Sequence, residues 1–295
     1  MKRSWGFWAL LLTIALTAAC LLRPSVMMER PVYRYLMVID ITQSMNARDY
    51  HQEGMPADRL GYAKAAIREA LHELPCGSEV GLGLFTTQNT RVLFDPLEVC
   101  EHFSVIDDVL EHVDWRMAWS ANSFIASGLF SAINQLSQRG GDVRLAFFTD
   151  GDQVPAEADQ PNFNGKAGQV QGLVFGVGGL TPVPIPRLDM ENRMQGYWEQ
   201  GDLDTGLSAG PAKGDHPLIM SSVDETRLNQ LATLTGLRYR HLTQSAGLTK
   251  ALTMPDMAFN RLVDTDIRWP IALTALTLWL CSLLGAWLRH RWRAE

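Results

Sequence analysis

The stretch Tyr33–Met45, which reads Y-R-Y-L-M-V-I-D-I-T-Q-S-M, decides the fold. Its run Tyr35–Ile39 shows no polar alternation and is rich in β-forming residues, as expected of a fully buried strand in a parallel sheet. Three oxygen-bearing side chains follow at every second position: Asp40, Thr42 and Ser44. In an open α/β sheet, ligands bind in the crevice beyond the carboxyl ends of the strands. Because carboxylate and hydroxyl oxygens suit Mg²⁺ or Ca²⁺, the loop predicts a divalent-cation site.

The composition allows one domain of ordinary size. The chain has 295 residues, of which 46% are hydrophobic, and two terminal runs are too apolar to belong to a soluble core. The net charge is −6, and no cluster of Lys and Arg occurs before the C-terminus. Nucleic acid is therefore not an expected partner, since it requires a basic surface.

The two apolar runs predict two membrane spans, Trp5–Leu22 and Trp269–Leu288. Each is uncharged and about long enough to cross a hydrocarbon layer of ~30 Å. For the first run a cleaved signal peptide is the alternative, but its apolar stretch is long and no clean A-x-A site follows. We therefore expect an uncleaved anchor and contact with the lipid bilayer through both spans.

Basic residues outside both spans predict the topology. Lys2 and Arg3 precede the first span, and the tail 289–295 that follows the second span is also basic. Since such residues stay on the cytoplasmic side, both termini are predicted to be cytoplasmic. The soluble part then faces outward, into the periplasm if the membrane is a bacterial inner membrane. The predicted order is an anchor and connector (1–31), the soluble domain (32–254), a linker (255–268), the second span (269–288) and the basic tail.

Between the spans, predicted strands alternate with predicted helices. The further strands are expected at 79–86, 91–94, 143–149, 170–177 and 238–241, and the helices near 58–74, 105–113, 124–136, 224–235 and 247–254. This alternation predicts an α/β fold with a mostly parallel central sheet and helices on both faces. The strand at 91–94 is expected to be antiparallel and at an edge, because only a few residues separate it from its predecessor. Leu180–Pro217 is rich in Pro and Gly and is predicted to be a long surface loop.

Two further polar residues extend the candidate site. Asp150 ends a second buried strand, and Ser123 precedes a helix. Each candidate has an ordinary alternative: Asp40 or Ser123 as a helix cap, and the remaining residues as turn positions. An acid that closes each of two buried strands at one sheet edge favours a shared site over these separate roles.

These segments resemble the von Willebrand factor A (VWA) domain and its metal-ion-dependent adhesion site (MIDAS). D-I-T-Q-S at Asp40 resembles the family's D-x-S-x-S, with Thr42 replacing the first serine. Ser123 in S-F-I-A-S-G-L is similar to the family's loop threonine, and F-T-D-G-D-Q to the T-D-G-E-N segment that supplies Asp150. The resemblance covers Tyr33–Leu252 and implies a Rossmann-like VWA fold.

The resemblance also implies how the site works. Thr42, Ser44 and Ser123 would bind the metal directly, whereas Asp40 and Asp150 would act mostly through water. Neutral ligands leave the charge of the cation poorly neutralised, so an Asp or Glu of a partner protein can fill the open position.

A narrower resemblance concerns the two spans together with L-P-C-G-S-E-V-G-L-G-L-F, D-W-R-M-A-W and V-C. These features are similar to the methanol-oxidation accessory (MxaL-type) proteins encoded with methanol dehydrogenase. They imply a helper in maturation of, or metal insertion into, a periplasmic methanol dehydrogenase-type enzyme, with that enzyme or its other accessory proteins as partners. The alternative is a general envelope scaffold that acts without a metal-mediated contact.

Enzyme signatures are missing from the sequence. It contains no G-x-S-x-G, Walker loop or HExxH, and Thr42 stands where a haloacid-dehalogenase-type phosphatase needs its second aspartate. We therefore expect a binding protein and not an enzyme.

The cysteines predict one disulfide. Cys20 and Cys281 lie in the predicted spans, which leaves Cys76 and Cys100 as the pair in the soluble domain. In an oxidising compartment such a pair tends to close. The alternative is two buried free thiols.

Overall fold

The computed structural model describes residues 5–118, 122–140, 142–155, 161–204 and 217–294, without the side chains of residues 5, 203, 204 and 286–294. The helices are, in chain order, α1 (Trp5–Leu21), α2 (Arg59–Glu73), α3 (Phe103–His112), α4 (Ile125–Arg139), α5 (Gln200–Asp204), α6 (Glu225–Thr235), α7 (Ser245–Leu252) and α8 (Arg268–Ala294). The strands are β1 (Ser25–Val32), β2 (Arg34–Asp40), β3 (Glu79–Thr86), β4 (Asn89–Glu98), β5 (Arg144–Thr149), β6 (Gly172–Val177), β7 (Val183–Pro184), β8 (Pro186–Leu188), β9 (Met194–Tyr197), β10 (Met220–Ser221), β11 (Arg238–Leu242) and β12 (Phe259–Asp266). The chain divides into two compact units, Val32–Phe259 and a second made of Met1–Pro31 with Asn260–Glu295.

A six-stranded sheet in the order β11-β6-β5-β2-β3-β4 forms the centre of the first unit. All its pairs are parallel except that of β3 with β4, so the predicted antiparallel edge strand is confirmed. Strand β2 lies between β5 and β3, with Ile39 opposite Phe148 and Asp40 opposite Phe85. The carboxyl ends of β2 and β5 therefore meet at one edge of the sheet.

Helices cover both faces of this sheet, as the sequence predicts. One buried apolar cluster joins the sheet to α2, α3 and α7, and a second joins the opposite face to α4 and α6. Strands β2, β5 and β6 are buried along almost their whole length, which explains their unbroken apolar sequences. The predicted α/β class with a mostly parallel sheet is confirmed.

Local capping signals set the helix ends. Asp58 caps α2 by accepting a hydrogen bond from the backbone N–H of Gly61 at 2.7 Å. Asp224 caps α6 through the N–H of Arg227 at 2.9 Å, and Gly236 ends that helix with a left-handed φ of 79°. These short-range signals explain why both helix starts agree with the prediction.

The prediction of a long surface loop at Leu180–Pro217 is wrong for the described part of that segment. It contains β7, β8, β9 and α5; β8 pairs with β9, and β7 pairs with β10 just beyond the segment. Strands of two to four residues are too short to show a sequence period, and β10 lies far along the chain from β7. Residues 205–216 lie outside the described residues. We call Leu180–Ser221 the insertion.

The second unit contains α1 and α8, which pack against each other, and the strand pair β1 and β12. The segments predicted as a connector and a linker contain most of β1 and β12, whose pairing joins distant parts of the chain. Among the described residues one helical segment, Arg268–Gly285, is long and apolar enough to cross a membrane. The apolar part of α1, Gly6–Leu21, is shorter, so a first span at Trp5–Leu22 stays a prediction.

The basic ends of the chain lie beyond what the structure describes in detail. Lys2 and Arg3 are outside the described residues, and so are the side chains of the tail 289–295. The backbone of the tail continues α8 as far as Ala294. The predicted topology therefore stays a prediction.

Candidate metal centre

The loop that leaves β2 gathers three of the predicted site residues. Asp40 is completely buried, and its Oδ1 accepts hydrogen bonds from the N–H of Thr42 at 2.9 Å and from Thr42 Oγ1 at 2.7 Å. Thr42 Oγ1 in turn lies 3.4 Å from Ser44 Oγ. The carboxylate thus fixes the position of the first hydroxyl, which stands beside the second.

The end of β5 brings Asp150 to the same place. Thr149, the last residue of β5, donates its hydroxyl hydrogen bond to Asp40 Oδ2 at 2.6 Å and so joins the two loops. Burial, followed by the charge of Asp150, raises the pKa of Asp40 to about 7, against the opposing hydrogen bonds from Thr149 and Thr42. The two acids are therefore close enough for their charges to repel each other in a buried site.

Arg59 partly compensates this negative charge. Its Nη1 lies 2.7 Å from Asp150 Oδ2, and its Nε and Nη2 both donate to Asp49 Oδ2. The other oxygen of Asp150 accepts from the N–H of Asp152 at 3.0 Å. Burial, with the Asp150 charge next in size, also raises the pKa of Asp152, to about 6. Asp150 and Asp49 thus share a single guanidinium, and Asp152 lies close enough to Asp150 and Arg59 for their charges to affect its pKa.

Gly178 gives the guanidinium its space. Its φ is +125°, and a Cβ built there would overlap the Arg59 side chain. The N–H of Gly178 donates to Tyr50 Oη at 2.9 Å, which holds the glycine backbone beside the site. A side chain at position 178 would therefore displace Arg59 from Asp150.

Ser123 completes the hydroxyl set. Its backbone is bonded in both directions to Val154, with N···O distances of 2.9 and 3.0 Å, and the N–H of the next residue, Phe124, donates to Thr87 O. The N-cap position of α4 belongs to Phe124, so the interpretation of Ser123 as the helix cap is wrong. Ser123 Oγ is buried and makes no hydrogen bond to any described residue.

A small cavity brings the three hydroxyl residues together. Its volume is about 60 Å³, and its walls combine the loop after β2 and Ser123 with apolar side chains. The lining residues are Thr42, Gln43, Ser44, Ser123, Val154, Ile185, Trp198 and Ile219. Of the five predicted site residues, Thr42, Ser44 and Ser123 line this cavity. Asp40 is bonded to Thr42 Oγ1, and Asp150 is close enough for its charge to act on Asp40, but neither acid lines the cavity.

The donor set suits a hard divalent cation. Every candidate ligand is a carboxylate or hydroxyl oxygen, which Mg²⁺ and Ca²⁺ prefer. The hydroxyl of Ser123 has no hydrogen-bond partner among the described residues, and the negative charge of Asp150 acts on the buried Asp40. A cation at this site would give the hydroxyl a partner and offset the negative charge. The residues present therefore fit such an ion.

Sequence reasoning missed the residues that support the acids, Arg59, Asp49, Thr149 and Ser221. The sequence contained one signal that Arg59 has an acidic partner. Arg59 is the first residue of α2, where a cation opposes the helix dipole and so needs a carboxylate nearby. Which carboxylate it meets depends on contacts between distant parts of the chain, such as its hydrogen bond to Ser221 Oγ at 2.7 Å.

The predicted disulfide is confirmed. Cys76 and Cys100 are bonded, with their Cα atoms 5.3 Å apart. Cys76 precedes β3 and Cys100 follows β4, so the bond lies at the amino edge of the sheet, opposite the candidate metal centre. Its role is to close the β3–β4 hairpin.

Comparisons with known proteins agree with the fold. Residues 35–153 match the family model described as the von Willebrand factor type A domain. An aerotolerance-related membrane protein from Bacteroides fragilis is 18% identical, with a TM-score of 0.51 over 75% of this chain and 96% of that one. The protein BatB from Bacteroides thetaiotaomicron is also 18% identical, with a TM-score of 0.53 over 76% of this chain and 98% of that one. No curated protein sequence matches. The fold is the α/β VWA fold.

Proposed function

We propose that this VWA fold is a membrane-held protein-binding module that captures a carboxylate of its partner through a divalent cation. The observation that carries the proposal is the buried, unpartnered hydroxyl of Ser123, which shares one small cavity with Thr42 and Ser44. The Ser123 hydroxyl takes part in no hydrogen bond with the described residues, so it has no evident structural purpose of its own. The proposal contains no catalytic step.

The residues that line the cavity and the two acids have different roles in the proposed site. Thr42, Ser44 and Ser123 line it and would contact Mg²⁺ or Ca²⁺ directly. Asp40 holds Thr42 through its Oδ1, and Asp150 is held by Arg59, so both acids supply charge from behind the hydroxyls. When bound, the cation supplies a positive centre that an Asp or Glu of a partner can complete.

The setting of this module is part of the proposal. The helix Arg268–Gly285 can cross a membrane, and one protein of similar fold is described as an aerotolerance-related membrane protein. We place the domain in the periplasm of a bacterial cell, between two spans, with both termini in the cytoplasm. The resemblance to methanol-oxidation accessory proteins makes a methanol dehydrogenase-type enzyme, or its accessory proteins, the first partner to test.

The test removes the hydroxyl without disturbing the backbone. In calorimetric titrations of the full chain in detergent, Ser123→Ala is expected to weaken Mg²⁺ or Ca²⁺ binding by about tenfold or more, the effect of losing one oxygen ligand. Ser137→Ala removes an exposed hydroxyl from the other end of α4 and should leave the affinity unchanged. Equal affinities in the wild type and both variants would refute the metal site.

A second candidate function is an envelope scaffold whose partner contacts need no metal. It is favoured by one observation: apolar residues of the insertion cover the hydroxyls. Partner capture from membranes that is the same with and without a chelator would support the scaffold, whereas capture that the chelator abolishes supports the metal-dependent module.

A further inference from the structure

The described part of the insertion, residues 180–204 and 217–221, contributes three residues to the lining of the cavity at the candidate metal centre. The N–H of Ile185 donates to Ile219 O, that of Ile219 to Trp198 O, and that of Trp198 to Ile185 O, at 3.1, 2.8 and 3.0 Å. These three residues, which we call the roof, are thus joined in a ring of backbone hydrogen bonds. The roof is a defined piece of structure and not a loose loop.

The roof is also attached to the charges beneath it. Ser221, the last residue of the insertion, accepts from Arg59 twice: Nη1 to its Oγ at 2.7 Å and Nη2 to its backbone O at 3.1 Å. The same Nη1 pairs with Asp150. The Arg59 guanidinium therefore connects the end of the insertion, at Ser221, to Asp150.

Two of the residues that line the cavity under the roof carry a buried polar atom without a hydrogen-bond partner among the described residues. Ser123 Oγ is one, and the indole N–H of Trp198 is the other; Nε1 is buried and has no hydrogen-bond acceptor in the described part of the chain. The Arg187 guanidinium lies over the Trp198 ring, 5.4 Å from its centroid, and holds the indole in place. A buried donor without an acceptor is costly, and an incoming oxygen atom would relieve that cost.

The size of the cavity limits what can supply that oxygen. A volume of about 60 Å³ has room for a few small groups, and its remaining walls are Gln43 and the aliphatic residues Val154, Ile185 and Ile219. A carboxylate on an unbranched carbon suits a space of this volume better than one on a branched carbon, which is bulkier next to the charged group.

The exposed residues next to the roof indicate that this carboxylate belongs to a polypeptide. The residues next to the roof residues in the sequence are exposed, with relative solvent accessibilities of 37% for Tyr197, 41% for Leu218 and 48% for Met220. Successive residues of an extended chain face opposite ways, so these side chains lie on the face away from the cavity. Clustered exposed apolar residues mark a surface that contacts another protein.

From these contacts we infer that the roof selects a carboxylate on an unbranched carbon, as in the Asp and Glu side chains of a partner polypeptide, with the indole N–H of Trp198 as donor to the second carboxylate oxygen. The inference rests on the proposed function, since it needs a cation in the site. Trp198 lies outside the matched family segment 35–153, so the insertion would give this chain its own ligand preference.

The test uses two small carboxylates as probes of the full chain in detergent. With protein in excess over Mn²⁺, the paramagnetic ion broadens the methyl NMR signal of any carboxylate that reaches it. Acetate, which carries its carboxylate on an unbranched carbon as Asp and Glu side chains do, is expected to broaden, whereas pivalate, which is branched at that carbon, is not. Trp198→Ala opens the roof and should admit pivalate.

Trp198→Phe keeps the ring and removes the N–H. It should leave Mn²⁺ affinity unchanged and weaken acetate binding by about tenfold, the effect of one hydrogen bond to a charged group. Trp115→Phe is the matched control, because the Trp115 N–H already bonds to Asn192 Oδ1 away from the cavity.

The outcomes separate the two proposals. If Mn²⁺ fails to bind the wild-type chain, the proposed function falls and the inference falls with it. If Mn²⁺ binds but pivalate broadens as much as acetate, or Trp198→Phe behaves as the wild type does, the inference alone is overturned.

Discussion

Arg59 Nη1 lies 2.7 Å from Asp150 Oδ2, and both side chains are completely inaccessible to solvent. The pair joins the first turn of α2 to the end of β5, and Asp49 shares the same guanidinium. A buried pair of this kind contributes little beyond what an apolar pair would, but removal of one partner leaves an uncompensated charge. Arg59 is therefore a residue on which the fold around the site depends.

Replacing this arginine should destabilise the protein strongly. We expect Arg59→Met to lower the free energy of unfolding by about 3 to 5 kcal/mol, since Asp150 and Asp49 would lose their counter-charge. Arg68→Met on the same helix is the control: its side chain is 40% exposed and pairs with Asp107 at the surface. That change should cost about 1 kcal/mol or less. Urea unfolding followed by circular dichroism measures both, and similar losses would contradict the assigned role.

The stability of the metal-free protein should depend on Asp40 and on pH. The pKa of Asp40 is raised in the folded state to about 7, above the ordinary value of about 3.9 in an unfolded chain. Between these two pKa values the folded state binds more protons than the unfolded state does. The Asp40 carboxyl therefore lowers the free energy of unfolding as the pH rises from about 4 to about 7. Asp40→Asn removes the effect. In chelator, its stability relative to the wild type should increase across that interval; a constant difference in melting temperature would argue against the shift.

A bound cation should stabilise the wild type. A ligand that binds only the folded state adds about 2.7 kcal/mol when its concentration is a hundred times the dissociation constant. Thermal unfolding with Ca²⁺ or Mg²⁺ should therefore occur at a higher temperature than unfolding in chelator. Asp40→Asn, which removes the charge beside Thr42, should show no such difference. A cation effect that survives in this variant would place the ion elsewhere.

The disulfide should affect stability and leave the metal centre unchanged. It closes a loop with a sequence separation of 24 residues, for which the chain-entropy model gives about 3 kcal/mol. A double variant, Cys76→Ser with Cys100→Ser, should lose about this much in urea unfolding. Its cation affinity should equal that of the wild type, because the bond lies at the opposite edge of the sheet from Asp40. A weakened affinity would show that the two edges are coupled.

The sequence was sufficient where structure depends on neighbouring residues. The buried strand before Asp40, the caps Asp58 and Asp224, and the meeting of Asp40 with Asp150 all follow from local patterns and from the rule for parallel strands. The orientation of Ser123 was harder, since a serine before a helix is usually its cap. The structure instead gives the N-cap position to Phe124 and leaves the Ser123 hydroxyl without a hydrogen-bond partner among the described residues.

What the sequence did not reveal depends on contacts between distant segments. The roof residues occupy a Pro- and Gly-rich stretch whose strands are too short for any period to be recognised. Their position above Thr42 and Ser44 depends on Ser221 meeting Arg59, which no local signal indicates. The pairing of β1 with β12 escaped prediction for the same reason.

The close approach of Gly178 to Arg59 also has an evolutionary consequence. A methyl group at position 178 and a guanidinium at position 59 cannot occupy the same volume, so neither position can vary independently of the other. In descendants of a common ancestor, we expect any lineage that acquires a bulkier residue at 178 to have already lost the arginine at 59, together with its acidic companions.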